Sequence, residues 1–525
     1  MGSKDYSVVI TTSGIGSRLG ELTKFTNKSL VRVGKRPALS YIIESYPKET
    51  PLVVTIRHFG NQVRDFVRLA YPDRNITFSE EASDVPMGES FSLGRTLLHA
   101  RRFVPGPFIF HAGDTIVTGD IPAPLENWDG GFKHGSTASY RSFNTQNGHV
   151  MGLNDKGALE WDYIHIGLVG VKDAGMFWEE LERLFKQNPK ASELNDCQII
   201  ELMLGKGIRF AVKDFAAWYD IGNAESLQNA RMQMPDHLSN LDKVDESIFL
   251  FDDFVVKFFA DTRHVDERVK RAEHLGSLVP KVLGVAGNFY KYEFVPGKLY
   301  ARAVTPADFG KFLEWSEINL WKPVKEIDDE AFYKVCHDFY FHKTQERVKR
   351  LLETNHLIDE ENVINGELVP RFGDLLEKLD FQWLCKAEQY QFHGDFILDN
   401  IVRTEDGWTL LDWRQNFGGL LQSGDKYYDL AKLNHNLSVN HDMIHAHHFK
   451  VSVKDALVTV DILRPDNLVQ CQLKLWDFAG EHGYDMKKLK VLTSLIWLNM
   501  SPLHHHPFNL FLYYFGKLNL WRALR

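Results

Sequence analysis

The alternation of apolar and polar residues divides the chain into two regions with different patterns. In residues 6–125, short β-rich runs such as "YSVVITT" alternate with segments such as "GNQVRDFVRLAY", whose apolar residues follow the spacing of an amphipathic helix. This alternation predicts an α/β layer with a mainly parallel sheet, and it continues through residues 136–215, where "STASYRS" is one of the predicted strands. From about Thr305 onward the pattern is mainly helical.

A polar, turn-rich stretch separates the two regions. The sequence "PDHLSNLDKVDES" predicts a domain boundary near Pro235 to Ser247. Strand signals then restart in "SIFLFDDFVVKFFA", which predicts a hairpin with Asp252 and Asp253 at its turn. We therefore predict three parts, listed here: a domain of residues 1–235, a linker of residues 236–246, and a domain of residues 247–525 with a β-rich part of about 247–300 and a helical part of about 301–525.

Composition narrows the classes of function. The 525 residues carry a net charge of −9, which argues against a nucleic-acid partner because such proteins need a basic surface. No apolar run reaches the ~18 residues of a membrane span. The four cysteines form no CxxC pair, which favours reduced thiols and a cytoplasmic location. Small-molecule substrates remain as partners, and oligomerisation stays possible.

The first candidate site begins with the strand and loop "VVITTSGIGSRL". Gly14 and Gly16 would let backbone amides approach phosphate oxygens closely, and Arg18 and Lys28 follow. No Gly-Lys-Ser/Thr follows, so this is not a Walker loop. Taken alone, the loop indicates an ordinary strand-to-helix turn as readily as a phosphate site.

The same stretch resembles the signature of nucleotidyltransferases that make nucleotide sugars and related diphosphates. In that family a Gly-rich loop is followed by Arg, Thr and Pro-Lys, and here Asn27 stands in place of the Pro. Three further segments match in the same order: "PMGES", "FIFHAGD" ending at Asp114, and "AWYDIGNAES" containing Asp220. The resemblance implies a Rossmann-like α/β domain with the nucleotide-diphospho-sugar transferase fold.

The resemblance also implies roles for particular residues. Asp114 and Asp220 would bind Mg²⁺, and Arg18 and Lys28 would be catalytic, holding the acceptor phosphate and the leaving pyrophosphate. The nucleotide would be bound by glycines of the loop and by the start of the "PMGES" helix, namely Gly14, Gly16, Pro86 and Gly88. The family's usual Glu-Lys-Pro is missing, which argues against an ordinary hexose 1-phosphate as acceptor.

The second candidate site is the contiguous stretch "QFHGDFILDNIVRTEDGWTLLDW". A kinase catalytic loop needs an Asp near the attacking hydroxyl, an Asn on Mg²⁺, and a second Asp on Mg²⁺ after a hairpin. Asp395, Asn400 and Asp412 occur in that order. The spacing predicts a phosphoryl-transfer site with Asp395 as base and with Asn400 and Asp412 on the metal.

This stretch resembles the aminoglycoside phosphotransferase and choline kinase group, which implies an α+β, protein-kinase-like domain. The resemblance assigns ATP binding to Lys257, to Glu273 on the next helix, and to backbone near Glu293 and Val295. Glu267 is a rival for Glu273. No glycine occurs in "SIFLFDDFVVK", where the group has its glycine-rich loop, so the sequence leaves open how well the ATP phosphates are covered.

Together the two resemblances imply a bifunctional enzyme. The second domain would phosphorylate a small sugar or polyol with ATP, and the first would couple that phosphate to a nucleotide from a second NTP, CTP or another, with Mg²⁺ in both. The product would be an NDP-activated precursor of a surface polysaccharide or glycoconjugate. Two alternatives stay open: a choline or ethanolamine kinase with a CTP-dependent cytidylyltransferase, and a non-catalytic binding or regulatory role for one domain.

Overall fold

A computed structural model describes residues 5–80, 92–188, 194–234 and 243–525. Packing divides the chain into two compact units, Met1–Val265 with Leu283–Phe294, and Asp266–Val282 with Val295–Arg525. Most of the linker predicted at residues 236–246 lies outside the described residues. The predicted domain boundaries therefore stay a prediction.

A large mixed sheet organises the first unit. Its strands and those of a short neighbouring ladder are β1 (Ser7–Thr11), β2 (Leu52–Ile56), β3 (Ile76–Glu80), β4 (Phe108–Ala112), β5 (Thr115–Thr118), β6 (Trp128–Phe132), β7 (Ser142–Gln146), β8 (His149–Asn154), β9 (Tyr163–Val171), β10 (Ala211–Asp214) and β11 (Ala217–Asp220). The accompanying helices are α1 (Ala38–Glu44), α2 (Gly60–Ala70), α3 (Leu93–Ala100), α4 (Ala174–Gln187), α5 (Asp196–Gly205) and α6 (Ala224–Gln233).

The strand order in this sheet is β3-β2-β1-β4-β9-β6-β10-β8-β7. The first four strands are mutually parallel, as predicted. Strand β9 then runs antiparallel to both β4 and β6, and β7 and β8 form an antiparallel pair. The α/β class is confirmed, and the mainly parallel sheet is correct for this first half but wrong for the second.

Both faces of the sheet are covered, which explains the nearly continuous apolar run of β1. Successive side chains of a strand point to opposite faces. Val8 and Ile10 accordingly join one buried cluster with α2 residues such as Phe66, while Val9 joins a second cluster with Phe108. Strands buried on both faces lose the polar alternation seen in half-exposed ones.

The strand predicted at "STASYRS" is wrong over most of its length. Residues Thr137–Ser139 form a 3₁₀ turn, and β7 begins at Ser142. The Ser136 hydroxyl accepts a hydrogen bond from the Ala138 amide at 3.2 Å. Such local side-chain bonds to the backbone compete with strand pairing and favour a turn.

A second, four-stranded sheet lies in the first unit. Its strands are β12 (Glu246–Leu250), β13 (Phe254–Phe259), β14 (Val282–Ala286) and β15 (Phe289–Glu293), in the order β12-β13-β15-β14. The predicted hairpin with Asp252 and Asp253 at its turn is confirmed. The sheet packs on α2, where the Phe66 ring centroid lies 5.5 Å from that of Phe249 and 5.9 Å from that of Phe289.

The second unit is mainly helical, as predicted. Its helices, of which the first begins in the first unit, are α7 (Thr262–Leu275), α8 (Tyr300–Ala303), α9 (Pro306–Asn319), α10 (Asp329–His337), α11 (Lys343–Thr354), α12 (Phe372–Lys378), α13 (Phe381–Cys385), α14 (Lys426–Ser438), α15 (His441–His445), α16 (Asp466–Glu481), α17 (Met486–Met500) and α18 (Phe508–Leu524). Helix α14 is buried along nearly its whole length and forms the centre of this unit.

The second unit also contains two small sheets. Their strands are β16 (Lys298–Leu299), β17 (Asn362–Ile364), β18 (Glu367–Val369), β19 (Ile401–Arg403), β20 (Trp408–Leu410), β21 (Phe449–Lys454) and β22 (Leu457–Ile462). The β19–β20 hairpin coincides with the apolar runs that flank "TEDGW". The sheet β18-β17-β22-β21 was not predicted.

The sequence predicted no membrane span and four reduced cysteines. Within the described residues, no helix combines the length and the apolar character needed to cross a membrane. The four cysteines, Cys197, Cys336, Cys385 and Cys471, are all buried free thiols.

Candidate active sites

Two carboxylates of the first unit are brought together by the β5–β11 ladder. In this antiparallel pair Asp220 lies opposite Thr115. Beyond the ladder the Ile221 amide donates to the Asp114 carbonyl at 3.0 Å. Residues far apart in the sequence, Asp114 and Asp220, therefore become neighbours.

Gly222 marks the point where three predicted site residues converge. A methyl group added to Gly222 would lie 3.1 Å from Asp220 Oδ1, 3.2 Å from Arg18 Nη2 and 3.4 Å from Asp114 Oδ2. The absence of a side chain at Gly222 leaves space between two acids and one guanidinium. These are the groups that the sequence predicted for metal binding and for holding phosphate.

Lys28 completes this cluster. Its Nζ lies 2.9 Å from Asp114 Oδ2. A methyl group on Gly14 would lie 3.5 Å from Lys28 Cε, and one on Gly16 would lie 2.8 Å from Lys28 Cβ. Gly16 has a φ of 74°, a conformation that favours glycine. The glycine-rich loop thus wraps closely around the lysine stem.

Asn27, which departs from the family pattern, has a structural role. Its side chain is fully buried. The amide donates to the carbonyls of Thr12 at 2.9 Å and His58 at 2.6 Å, and its oxygen accepts from the Ser29 amide at 2.9 Å. Asn27 therefore fixes the backbone immediately before Lys28.

The cations keep Asp114 ionised. Burial raises the pKa of this carboxyl, but the Lys28 ammonium and then Arg18 outweigh burial, so that its pKa lies below the ordinary value. An ionised carboxylate is an oxygen ligand that Mg²⁺ prefers, and Mg²⁺ is usually held by one or two carboxylates together with substrate phosphates. Asp114 and Asp220 fit this donor set.

Tyr140 is a site residue that the sequence analysis missed. Its hydroxyl donates to Asp220 Oδ2 at 2.8 Å. Burial, and next the Asp220 charge, raise the pKa of the phenol above its ordinary value, which keeps it a proton donor to the carboxylate. Tyr140 lies in the segment predicted as a strand, and no motif singled it out. Pro86 and Gly88, predicted to bind the nucleobase, lie outside the described residues.

The second candidate site is built around the β19–β20 hairpin. The Leu411 amide donates to the Asn400 carbonyl at 2.7 Å. The Asn400 amide nitrogen in turn donates to Asp395 Oδ2 at 3.0 Å and to the Asp395 carbonyl at 2.9 Å. Asp412 follows Leu411 with a φ of 53°. The hairpin therefore gathers the three residues predicted from their spacing.

His393 and Asp429 hold the loop that carries Asp395. Asp429 is fully buried and accepts from the backbone amides of His393 at 2.7 Å and Gly394 at 2.6 Å. Burial lowers the pKa of His393 to about 4, so the ring is neutral. Its Nδ1 accepts from the Asp395 amide at 3.2 Å, and its Nε2 then donates to the Leu411 carbonyl at 2.8 Å. These contacts connect the loop that carries Asp395 to the end of the hairpin.

Two cations contact the acids of this site. Lys432 Nζ lies 2.7 Å from Asp395 Oδ1, and Arg268 Nη1 lies 2.5 Å from Asp412 Oδ1. Burial raises the pKa of Asp395, but Lys432 outweighs it and brings the pKa to about 2. The sequence analysis missed both cations. Lys432 follows Asp429 by three residues on α14, which places both on one helix face, and that spacing was a usable signal.

The residues predicted to bind ATP are on the expected elements. Lys257 is buried on β13, and one of its partners is Glu246 Oε1 at 3.3 Å. Glu293 ends β15 opposite Phe254, with Val295 two residues beyond it. Glu273 is exposed on α7. Its rival Glu267 accepts a hydrogen bond from Asn416 Nδ2 at 2.7 Å.

Comparisons with known proteins give the following findings. No family model matches the chain. No curated protein matches it either. Among solved structures the chain is similar to a putative glucose-1-phosphate thymidylyltransferase from Bacillus anthracis, with 19% identity, 45% of this chain and 98% of the other covered, and a TM-score of 0.37.

Two further solved structures are similar over comparable shares. One is the CTP:phosphocholine cytidylyltransferase from Streptococcus pneumoniae, with 14% identity, 42% and 96% coverage, and a TM-score of 0.37. The other is the inositol-1-phosphate CTP transferase from T. maritima, with 13% identity, 44% and 98% coverage, and a TM-score of 0.33. At these identities and TM-scores the likenesses do not establish an activity, which has to be inferred from the geometry of the two sites.

Proposed function

We propose that the protein is a bifunctional enzyme, with a nucleotidyltransferase in the first domain and a small-molecule kinase in the second. The convergence of Arg18, Asp114 and Asp220 around Gly222, with Lys28 on Asp114, is the observation that carries the first activity. Two acids and two cations in one cluster suit a reaction between two phosphate-bearing substrates. The proposed domains are residues 1–235 and 247–525, joined by residues 236–246.

In the proposed nucleotidyl transfer, a phosphate oxygen of the acceptor attacks the α-phosphorus of an NTP. A new P–O–P bond forms, and the bond to the leaving pyrophosphate breaks. Lys28 and Arg18 would hold the phosphates where negative charge accumulates. Asp114 and Asp220 would hold Mg²⁺, which neutralises charge on the phosphates when bound. Tyr140 orients the Asp220 carboxylate by its hydrogen bond.

The second activity is supported by the Asp395–Asn400–Asp412 arrangement. An ionised Asp395 can accept the proton of a substrate hydroxyl while the hydroxyl oxygen attacks the γ-phosphorus of ATP. The O–P bond to the acceptor forms, and the bond to the leaving ADP breaks. Asn400 and Asp412 would hold Mg²⁺. Lys257, Glu273 and the backbone near Glu293 and Val295 are the proposed ATP contacts.

The two reactions follow one another chemically. The kinase would place a phosphate on a small hydroxyl compound such as a sugar or polyol, and the nucleotidyltransferase would use this phosphate as its nucleophile. Joining both in one chain raises the local concentration of the intermediate. The product would be an NDP-activated precursor of a surface polysaccharide or glycoconjugate.

Crossed substitutions test the proposal in the full-length protein. We expect Asp395→Asn to lower ATP-dependent phosphorylation of the acceptor by about 10²–10⁴-fold while pyrophosphate release from pre-phosphorylated acceptor and NTP continues. Asp114→Asn should do the reverse. Two exposed aspartates, Asp120 after β5 and Asp406 in the turn between β19 and β20, provide matched Asp→Asn controls. Loss of both activities in either single variant would contradict two separate sites.

A further inference from the structure

Four basic side chains gather beside Asp395 in the second unit. They are Lys343 and Arg347 on α11, Arg414 just after the β19–β20 hairpin, and Lys432 on α14. Residues four apart on a helix lie on one face, so Lys343 and Arg347 project together. We call these four residues the cation cluster.

Several contacts tie the cluster to the catalytic loop. Lys432 Nζ is 2.7 Å from Asp395 Oδ1. The Arg414 amide donates to the His393 carbonyl at 3.0 Å. Lys343 Nζ and Arg414 Cζ lie on one aromatic ring, at 3.8 and 5.1 Å from the Phe339 centroid. Through Lys432 the cluster therefore reaches the carboxylate that would receive the proton of the acceptor hydroxyl.

The cluster has more positive than negative charge. Asp395 pairs with Lys432, whereas no carboxylate of the described residues lies within ion-pair distance of Lys343, Arg347 or Arg414. Burial, followed by repulsion from Arg414, Arg347 and Lys432, lowers the pKa of Lys343 to about 5. Burial also lowers the pKa of Arg347, and Arg414 adds to this effect.

A cluster without carboxylate partners for three of its members costs folding free energy, because like charges repel. Arg347 Nη1 and Arg414 Nε donate to neutral backbone carbonyls, those of Asn499 at 3.1 Å and Asn416 at 2.9 Å. The Lys343 side chain forms no hydrogen bond to another described residue, although it is only partly exposed, and its amino group lies on the Phe339 ring. Surface basic residues, in contrast, extend freely into water. The arrangement fits a pocket whose missing counter-charge arrives with a ligand.

We propose that the cation cluster binds an anionic group of the phosphate acceptor, so that the kinase substrate is an alcohol that already carries a phosphate, phosphonate or carboxylate. This inference rests on the proposed kinase function. The inference distinguishes between the two acceptor classes that the sequence left open, a sugar or polyol and an amino alcohol such as choline. Choline and ethanolamine are cations, which would be repelled by the cluster and would need an aromatic or acidic pocket instead.

The position of the cation cluster indicates that the anionic group it binds is part of the acceptor molecule. Lys432 touches the carboxylate that contacts the reacting hydroxyl, so a ligand group beside Lys432 and Arg414 belongs to the molecule bearing that hydroxyl. Guanidinium groups bind phosphate and carboxylate through paired hydrogen bonds, and a lysine adds a point charge. Lys343, Arg347 and Arg414 are then specificity residues, and Asp395 remains the proposed base.

An acceptor panel with the full-length protein tests this directly. The compounds are glycerol, glycerol 3-phosphate, glycerate and choline, with ATP and Mg²⁺, and ADP release is measured as initial rate against acceptor concentration. We expect turnover with the anionic members and none with choline, and the phosphate and carboxylate arms show which anion is preferred. A preference for glycerol or choline would overturn the inference while leaving the kinase proposal intact.

Lys343→Met separates binding from folding and from chemistry. Methionine keeps the length of the side chain and removes a poorly solvated amino group, so the variant should fold. Loss of one charged hydrogen bond should raise KM for the anionic acceptor about tenfold or more, with kcat and the KM for ATP unchanged. Lys349→Met, on the exposed face of the same helix, is the matched control. A rise in the KM for ATP instead would assign the cluster to the nucleotide and overturn the inference.

A binding measurement covers the case in which no compound of the panel is phosphorylated. In a Lys28→Met background, which removes a cation proposed to hold phosphate at the first site, glycerol 3-phosphate should raise the melting temperature, and Lys343→Met should abolish the shift. That result would retain the anion site while the kinase proposal fails. Absence of a shift, or an equal shift in Lys343→Met, would overturn the inference.

Discussion

The two candidate sites are assembled in different ways. The first draws Arg18, Lys28, Asp114, Tyr140 and Asp220 from separate segments, and the β5–β11 ladder brings the two acids together. The second takes its acids and its Asn from residues 395–412, a single loop and hairpin. The first site therefore depends on the whole sheet of its unit, whereas the second depends on local backbone structure and a few side chains that hold it.

The electrostatics of the two sites are nevertheless alike. In each, a lysine contacts the key carboxylate, Lys28 on Asp114 at 2.9 Å and Lys432 on Asp395 at 2.7 Å. In each, the lysine outweighs burial and keeps the pKa of the acid low. Lys28 comes from a glycine-rich loop and Lys432 from a buried helix. The same charge arrangement can thus arise from unrelated local structures.

The largest expected effect comes from separating the sites by deletion. The β12–β15 sheet, which carries Lys257, packs on α2 through Phe249 and Phe289. We expect a chain lacking residues 1–235 to give a folded kinase domain, as the proposed boundary requires, with a lower free energy of unfolding because each apolar side chain so exposed loses roughly 1.5–3 kcal/mol. An insoluble product would count against the boundary. Expression and size-exclusion chromatography provide the measurement.

A point variant tests the packing of the β12–β15 sheet on α2 in the full-length protein. Phe66 contacts both Phe249 and Phe289, and Phe66→Ala should lower the free energy of unfolding by about 3–5 kcal/mol. A soluble, monomeric fragment of residues 236–525 with kinase activity would show that the second site needs nothing from residues 1–235.

The different assembly of the sites explains what the sequence could predict. Asp395, Asn400 and Asp412 were found by spacing because the hairpin that joins them is local. Asp114 and Asp220 were paired through family resemblance, since no spacing rule predicts that β5 and β11 form a ladder. Tyr140 and Arg268 were missed for the same reason: each contacts its acid through tertiary structure.

The fold shows the same division between local and long-range information. Strands β1 to β4 and the helices between them follow from apolar periodicity. The antiparallel insertion of β9 between β4 and β6 does not, because periodicity carries no information on strand order. The β21–β22 hairpin was missed although burial alternates along β22, since both strands are largely exposed.

The next largest effect tests the scaffold of the first site. Both ring nitrogens of His165 contact carboxylates, Nδ1 with Asp129 and Nε2 with Asp196, each at 2.9 Å. Burial lowers the pKa of His165, but the two acids outweigh it and raise the pKa well above the ordinary value. The His165 amide also donates to the Arg141 carbonyl, next to Tyr140, at 2.9 Å. We expect His165→Gln to cost about 3 kcal/mol, because it leaves buried acids without their cation.

The pH dependence follows from the raised pKa. The stabilisation is fully present below the unfolded-state pKa of about 6.5 and is lost as the pH rises through the higher folded-state pKa. Urea midpoints at pH 6 and pH 9 should therefore differ less in His165→Gln than in the natural protein. His149→Gln, on the more exposed strand β8, is the control. An unchanged pH dependence in His165→Gln would refute this role.

A smaller effect is expected where the glycine loop meets Lys28. Gly16→Ala places a methyl group 2.8 Å from Lys28 Cβ and forces alanine into a left-handed conformation, at a cost of about 1–3 kcal/mol. Nucleotidyl transfer should fall, because Lys28 moves away from Asp114. Gly20 also has a positive φ, 57°, but a ψ of −129° and no atom within 4 Å of an added methyl group, so Gly20→Ala should strain the backbone and leave Lys28 in place. Equal loss of transfer in both variants would exclude a specific role for Gly16.

The smallest expected effect concerns Tyr140. This residue belongs to the first candidate site, which is assembled from separate segments of the chain. Tyr140→Phe removes the hydrogen bond to Asp220 Oδ2 and retains the ring that packs on Trp218 at 5.0 Å between centroids. A charged hydrogen bond of this kind contributes about 1–2 kcal/mol, so we expect roughly a tenfold fall in kcat/KM for pyrophosphate release. The kinase rate should not change, because Tyr140 supports only Asp220. The dependence of the transfer rate on Mg²⁺ concentration tests whether Tyr140 acts by orienting a metal ligand. A weaker apparent affinity for Mg²⁺ in Tyr140→Phe would support this role. An unchanged affinity would contradict it.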